Sequence, residues 1–105
     1  MEVLDSFESD RRGLTGRDTY RERMILMNRI DIYRLFITVI IISSEIKYPR
    51  PLSSIEEREL KMFIEELNKF ENMVLDLKIN ENMIWDKGRT CEKQILQLFS
   101  NFFKV

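Results

Sequence analysis

The chain has 105 residues, of which 44% are hydrophobic and 33% are charged, and its formal net charge is −1. This composition is typical of one helical globular domain and excludes a disordered chain. The balanced charge gives no overall attraction to nucleic acid or to an acidic membrane surface. Cys91 is the only cysteine, so an internal disulfide is excluded and a reducing, intracellular compartment is expected.

The N-terminal segment 1–16 has few apolar side chains, two glycines and the pair Arg11-Arg12. We expect a flexible arm here, followed by a single helical domain over 17–105. The segment lacks a basic stretch followed by an apolar one, so a signal peptide is not predicted. The most apolar segment, 35–42, is far shorter than the roughly 20 residues of a membrane-spanning helix. We therefore predict no membrane insertion.

The first helix is predicted over 18–47. Thr19 and Glu22 have the spacing of a capping box at its start. The prolines of Tyr48-Pro49-Arg50-Pro51 end it, because proline lacks the backbone N–H that a helix needs. Apolar residues recur at steps of three and four on one face, which predicts contact with another helix. They are Leu26, Ile30, Tyr33, Ile37 and Ile40.

Part of this helix is apolar on every side, because Thr38 is the one polar residue between Leu35 and Ile42. A single antiparallel neighbour covers only one stripe of a helix, so this segment needs cover from a second side. A competing interpretation is a strand over 36–42, since isoleucine, valine and threonine favour strands. No second segment is a convincing strand partner, and we favour the helix.

The second helix is predicted over 54–79, with an alternative end at 87. Ser53 or Ser54 serves as its N-cap, and a glutamate follows at the third helical position. Gly88 would end the longer version. Its main apolar row contains Leu60, Phe63, Leu67, Phe70, Val74 and Leu77, and a second row contains Leu75, Ile79 and Met83. Two apolar rows predict burial on two faces.

A third, short helix is predicted over 90–103, with Thr90 as its cap. Cys91, Ile95, Leu98 and Phe102 share one face, and Leu96, Phe99 and Phe103 widen it. This helix either closes the bundle or docks on a partner. Trp85 either joins the same cluster or anchors an interface, where tryptophan is enriched. The candidate partner interface is Trp85, Phe99, Phe102 and Phe103.

Enzymatic chemistry is weakly supported. The absence of histidine removes the commonest general base, the Ser-His and Cys-His nucleophile pairs and most zinc sites. Glu59-Leu60-Lys61 matches the E-x-K of a nuclease motif, but the triplet lies on a predicted helix whereas that motif needs a strand. No phosphate-binding glycine loop is present. We predict no enzyme, no metal and no cofactor, and we interpret Cys91 as a core residue.

Arginine is unevenly distributed. Seven of the ten arginines lie between Arg11 and Arg34, opposed by three acidic residues, which gives this segment a charge of +4. Guanidinium groups bind phosphates, so nucleic-acid contacts are conceivable at Arg11, Arg12, Arg17, Arg21 and Arg29. The alternative is that the arginines pair with the acidic second helix or cover core edges with their stems.

These observations predict an all-α fold of two long antiparallel helices and a short C-terminal helix. We expect a homodimer to complete the helical bundle. Its candidate core is Leu35, Ile37, Ile41, Leu75, Ile79 and Met83. The predicted function is helix-mediated binding of another protein by a small non-enzymatic accessory protein, of the kind that viruses and mobile elements encode. The alternative is a dimeric nucleic-acid binder that uses the segment 11–34.

Overall fold

The computed structural model describes residues 19–104, with the backbone alone at Thr19. The chain forms three helices, α1 (Thr19–Glu45), α2 (Ser54–Leu75) and α3 (Glu81–Phe103), and no strand occurs among these residues. The all-helical prediction is therefore confirmed, and the strand interpretation of 36–42 is wrong. The predicted arm at 1–16 and the Thr19 cap side chain lie outside the described residues.

The helices run up, down and up. Arg34 of α1 contacts Glu71, and Arg23, nearer the start of α1, contacts Val74 and Asp76 at the end of α2. Those two helices are therefore antiparallel. On α3, Trp85 contacts Glu22 and Phe99 packs on Phe36. Both of these pairs are separated by 63 residues, which makes α1 and α3 parallel and in register.

One hydrophobic core lies between the three helices. The whole predicted row of α1 is buried, as is the row of α2 from Leu60 to Val74. From α3 the buried residues are spaced mostly by three or four, as expected for a helix that faces two neighbours. They are Ile84, Trp85, Gly88, Cys91, Ile95 and Phe102. The predicted placement of Cys91 in the core is confirmed.

The start of α2 matches the predicted capping box. The Ser53 side chain accepts a hydrogen bond from the Glu56 backbone N–H, and the Glu56 carboxylate accepts one from the Ser53 backbone N–H. Both groups would otherwise lack a partner within the helix. Because α2 has this strong start directly after Pro51, its first residue could be predicted from local sequence.

The boundary between α2 and α3 differs from the prediction. α2 ends at Leu75, neither at 79 nor at 87, and α3 begins at Glu81 instead of 90. The Asp76 side chain accepts a hydrogen bond from the Lys78 backbone N–H, and the Asn80 side chain accepts one from that of Asn82. These short side chains give the backbone partners outside a helix, which favours a turn followed by an N-cap.

Gly88 and Thr90 accordingly have roles other than the predicted ones. Gly88 does not end a helix: it is buried inside α3, in the row with Ile84 and Cys91. The Thr90 hydroxyl donates to the carbonyl oxygen of Asp86 within the same helix and caps nothing. A glycine at this point leaves no side chain between α3 and its neighbours, so it favours close packing of the helices.

Neither α2 nor α3 has a basic residue in its last turn. Arginines from other parts of the chain supply positive charge at these two helix ends. Arg23 of α1 is buried and donates to the carbonyl oxygens of Met73, Val74, Asp76 and Ile79 at 2.6–3.3 Å. A cation at this end of a helix satisfies unpaired carbonyls and complements the helix dipole.

Arg50 acts in the same way at the opposite end of the bundle. Its guanidinium binds both carboxylate oxygens of Glu56, at 2.6 and 2.8 Å, and donates to the carbonyl oxygen of Asn101. It also lies over the ring of Phe102, 5.1 Å from the centroid. The loop before α2 is thus attached to the last turn of α3, which holds the C-terminal helix in the bundle.

Candidate helix-to-helix interface

A second apolar row on α1 is exposed on the surface of the described residues. Leu35, Val39 and Ile42 are 64%, 44% and 51% exposed, and Ile46, just after the helix, is 67% exposed. Their steps of four, three and four residues place them along one line of the helix surface. The core row of Ile37 and its neighbours lies on the opposite side. We call Leu35, Val39, Ile42 and Ile46 the outer row.

Few polar groups interrupt the outer row. The hydroxyl of Thr38, on the same side of α1, donates to the carbonyl oxygen of Arg34 at 2.9 Å and so has a partner within the helix. Arg34 itself pairs with Glu71 at 2.9 Å, a contact that lowers the pKa of the glutamate. Thr38 and Arg34 therefore have polar partners within the chain. The outer row itself is a line of partly exposed aliphatic side chains, spaced like the contact face of a coiled-coil helix.

Charged residues stand at both ends of the outer row, and at the Ile46 end they are of both signs, because Glu45 is exposed directly before it. Asp31 is exposed one turn before Leu35, and Lys47 is exposed directly after Ile46. Lys47 has φ = 60°, and the backbone N–H groups of Lys47 and Tyr48 donate to the carbonyl oxygens of Ser44 and Ser43. These are the two hydrogen bonds of a Schellman C-cap. This cap fixes the point where α1, and with it the outer row, ends.

The predicted dimer core is not a single surface. Leu35 and Ile41 are exposed on α1, but Ile37 is buried in the core of the chain itself. Leu75, Ile79 and Met83 were expected on one helix, and they instead lie at the end of α2, in the turn and in α3. The prediction of a second buried face on α2 is wrong, because the helix on which it depended ends at Leu75.

The predicted partner interface is mostly internal. Trp85 is fully buried, and its indole N–H donates to Glu22 at 3.2 Å, so it is a core residue and not an exposed anchor. Phe102 is also buried, while Phe99 and Phe103 are half-buried, and their rings contact each other at a tilt of 45°. Phe36 packs edge-on against Phe99. These contacts favour the alternative in which the C-terminal helix closes the bundle.

The arginines of the basic segment that lie among the described residues do not form one patch. Arg11, Arg12 and Arg17 lie outside the described residues, Arg21 is exposed, and Arg29 is buried. Arg23 and Arg34, from the same basic segment, bind the end of α2 and Glu71. Pairing with the acidic second helix, the alternative interpretation of these arginines, is therefore observed for Arg34.

Three features of residues 19–104 bear on a metal or catalytic site: the acidic side chains, the Cys91 thiol and a groove between α2 and α3. Residues 19–104 contain no cluster of acidic or cysteine side chains that could hold a metal ion. Burial raises the pKa of the Cys91 thiol to about 11, which makes it a poor nucleophile. An open groove of about 360 Å³ between α2 and α3 contains Glu59 and Glu66, but Lys87 and Lys69 bind the Glu66 carboxylate. No helix within 19–104 is long and apolar enough to cross a bilayer.

Sequence reasoning missed two of the residues that matter most. Ile46 continues the four-three-four spacing of the outer row, and this spacing could have revealed it, but the row was hidden within a segment that is apolar on all sides. Arg23 looked like one member of a basic segment. Its role depends on carbonyl groups more than fifty positions away, and no local pattern reports such a contact.

Comparison of this chain with protein-family models, with curated proteins and with solved structures finds no match.

Proposed function

We propose that this protein acts by helix-to-helix binding, and that the outer row of α1 joins two copies of the chain into a homodimer. The observation that carries the proposal is the row itself: four aliphatic side chains at coiled-coil spacing, about half exposed or more, on the helix face opposite the core. Aliphatic residues at this spacing are costly to leave in water along three turns of a helix.

The exposed area supports association of moderate strength. The four side chains leave on the order of 400 Å² of apolar surface on each chain, which is the size of the largest apolar patch on a typical monomer, and such patches are often functional. Two such rows bury less than the roughly 1,600 Å² of a standard stable interface. We therefore expect a dissociation constant in the micromolar range. A dimer of this kind would present two copies of each remaining surface to a further protein partner.

The test is the mass of the particle in solution as a function of concentration. Sedimentation or light scattering between about 1 and 200 µM should show the wild-type mass rising from one chain towards two. Ile42→Glu and Leu35→Glu should keep the mass of one chain throughout, because each buries a charge in the seam. Met62→Glu, at an exposed position on α2, is the matched control and should dimerise like the wild type.

Circular dichroism of each variant separates loss of the dimer from loss of the fold. The proposal is contradicted if the wild type has the mass of one chain over the whole range, or if Met62→Glu weakens association as much as Ile42→Glu does. The nucleic-acid alternative has less support, since Arg21 is the one candidate contact among the described residues that is exposed.

A further inference from the structure

We infer that the dimer interface spans two helices of each chain, the outer row of α1 and, beside it, an apolar edge of α3 formed by Leu96, Phe99 and Phe103. This inference rests on the proposed dimer and specifies which further surface takes part. We call these three residues the α3 edge. Leu96 is 40% exposed, and Phe99 and Phe103 are half-buried. Their steps of three and four residues place them along one line of α3.

The outer row and the α3 edge are continuous with each other. Phe36 of α1 packs edge-on against Phe99, with the ring centroids 4.9 Å apart. Val39 lies three residues after Phe36, and Leu96 lies three residues before Phe99. Residues three apart are neighbours on the surface of a helix. The aromatic pair therefore joins the two lines of apolar side chains into one face that spans α1 and α3.

Size favours this wider face over the outer row alone. The outer row leaves on the order of 400 Å² on each chain, about half of the roughly 800 Å² that each partner contributes to a standard stable interface. An aromatic side chain carries about 150–250 Å² of surface, and those of the α3 edge are partly covered, so we expect the edge to add on the order of 200 Å². A second copy seated across both helices then reaches the lower end of the standard range.

Polar side chains border the face. Thr38 and Glu45 are exposed beside the outer row on α1, and Lys93 and Ser100 are exposed beside Leu96 on α3. An apolar centre with a polar rim is the usual arrangement of a protein interface. Because aliphatic and aromatic side chains pack against surfaces of their own kind, a two-fold axis can set this face against the same face of a second copy.

A charge placed at Leu96 tests whether α3 takes part. Leu96→Glu should raise the dissociation constant by more than about tenfold, because the two-fold axis buries the new carboxylate twice. Met83 is 56% exposed and lies near the start of the same helix, far from the α3 edge. Met83→Glu is therefore the matched control and should dimerise like the wild type. Circular dichroism checks that both variants keep the helical fold.

Protection of a thiol gives an independent result that needs no new charge. Since Cys91 is buried, Leu96→Cys and Met83→Cys each add a thiol at an exposed position. Labelling of Leu96→Cys by a maleimide should slow as the concentration rises from about 1 to 200 µM, in step with the mass of the particle, while labelling of Met83→Cys should not change.

The outcomes distinguish the inference from the proposed function. The interface is confined to α1, and the inference is overturned, if Leu96→Glu dimerises like the wild type and Leu96→Cys is labelled equally fast at every concentration. The proposed function still stands in that case, provided that Ile42→Glu keeps the mass of one chain. A wild-type mass of one chain overturns both.

Discussion

The guanidinium of Arg23 lies 2.6 Å from the carbonyl oxygen of Val74, at the point where α2 ends. The same side chain reaches Asp76 and Ile79 in the following turn and lies 3.6 Å from the carboxylate of Glu81 on α3. One buried cation of α1 therefore joins the last turn of α2, the connection and the first turn of α3. The stability of this end of the bundle should depend on it.

Replacing Arg23 by lysine should lower the free energy of unfolding by about 2–4 kcal/mol, because one ammonium group cannot reach carbonyls on both sides of the turn and leaves buried acceptors without donors. Urea unfolding followed by circular dichroism measures this change. Arg58→Lys, at an exposed position on α2, should stay within about 0.5 kcal/mol of the wild type. A similarly small effect of Arg23→Lys would refute the role assigned to the guanidinium.

Gly88 should not tolerate a large side chain. A branched residue at this buried position has to push α3 away from its neighbours, so Gly88→Val should cost about 1–3 kcal/mol by overpacking. This is the opposite of what an exposed helix position would show, where replacing glycine removes a conformational penalty. Thermal unfolding provides the measurement, with Thr90→Ala, exposed on the same helix, as a near-neutral control. Stabilisation by Gly88→Val would contradict the close packing of α3.

Acid should weaken the Arg50–Glu56 end of the bundle. The hydrogen bonds from Arg50 lower the pKa of Glu56 from its usual value of 4.5 to about 2. The folded protein therefore binds this proton less readily than the unfolded chain does. The pair stabilises the fold above about pH 4.5, and its contribution is lost as the pH falls towards 2.

Two variants test whether this dependence of stability on pH comes from Glu56. Glu56→Gln should be less stable than the wild type at pH 7, and the difference should shrink as the pH falls towards 2, where the Glu56 carboxylate begins to take up a proton in the folded protein. Glu57→Gln, at the exposed neighbouring position, should keep the wild-type dependence. Urea unfolding at a series of pH values checks both expectations, and a Glu56→Gln difference that does not change with pH would be evidence against the ion pair.

Cys91 should be unreactive in the folded protein. Its side chain is fully buried, and burial raises the thiol pKa to about 11. At neutral pH a reagent therefore cannot reach the sulfur, and little of the thiol is in the reactive thiolate form. We expect an aromatic disulfide reagent to label the thiol at the rate of unfolding, increasing with urea. Rapid labelling without denaturant would show that the core around α3 opens easily. As a comparison, Asn28→Cys should react at once, because its position is exposed.

The core rows of α1 and α2 could be predicted because their apolar residues recur at the three- and four-residue steps of one helix face. The break between α2 and α3 could not. The sequence from Asp76 to Asn80 contains neither glycine nor proline, and the apolar row of α2 continues in register through Leu77 to Ile84. The turn depends on side-chain hydrogen bonds of Asp76 and Asn80 and on a guanidinium from the far end of the chain.

The outer row of α1 could likewise be predicted only in part. The excess of apolar residues between 35 and 42 was evident from composition, and it correctly indicated a helix with more apolar surface than one neighbour covers. Which side stays uncovered depends on where α2 and α3 pack, so Ile37 could not be distinguished from Val39 by type. Trp85 presented the same difficulty, since a tryptophan suits a core and an interface equally well until its neighbours are known.

The contacts of Arg23 also have a consequence for the order of events during synthesis on the ribosome. Its acceptors at Val74, Asp76 and Ile79 are made more than fifty residues later than the arginine itself. Until that turn has left the ribosome, the charge that will be buried has to stay in water, and the N-terminal end of α1 cannot settle into its final place. A nascent chain stopped within α2 should therefore be open at this end, and completion of the third helix should close it.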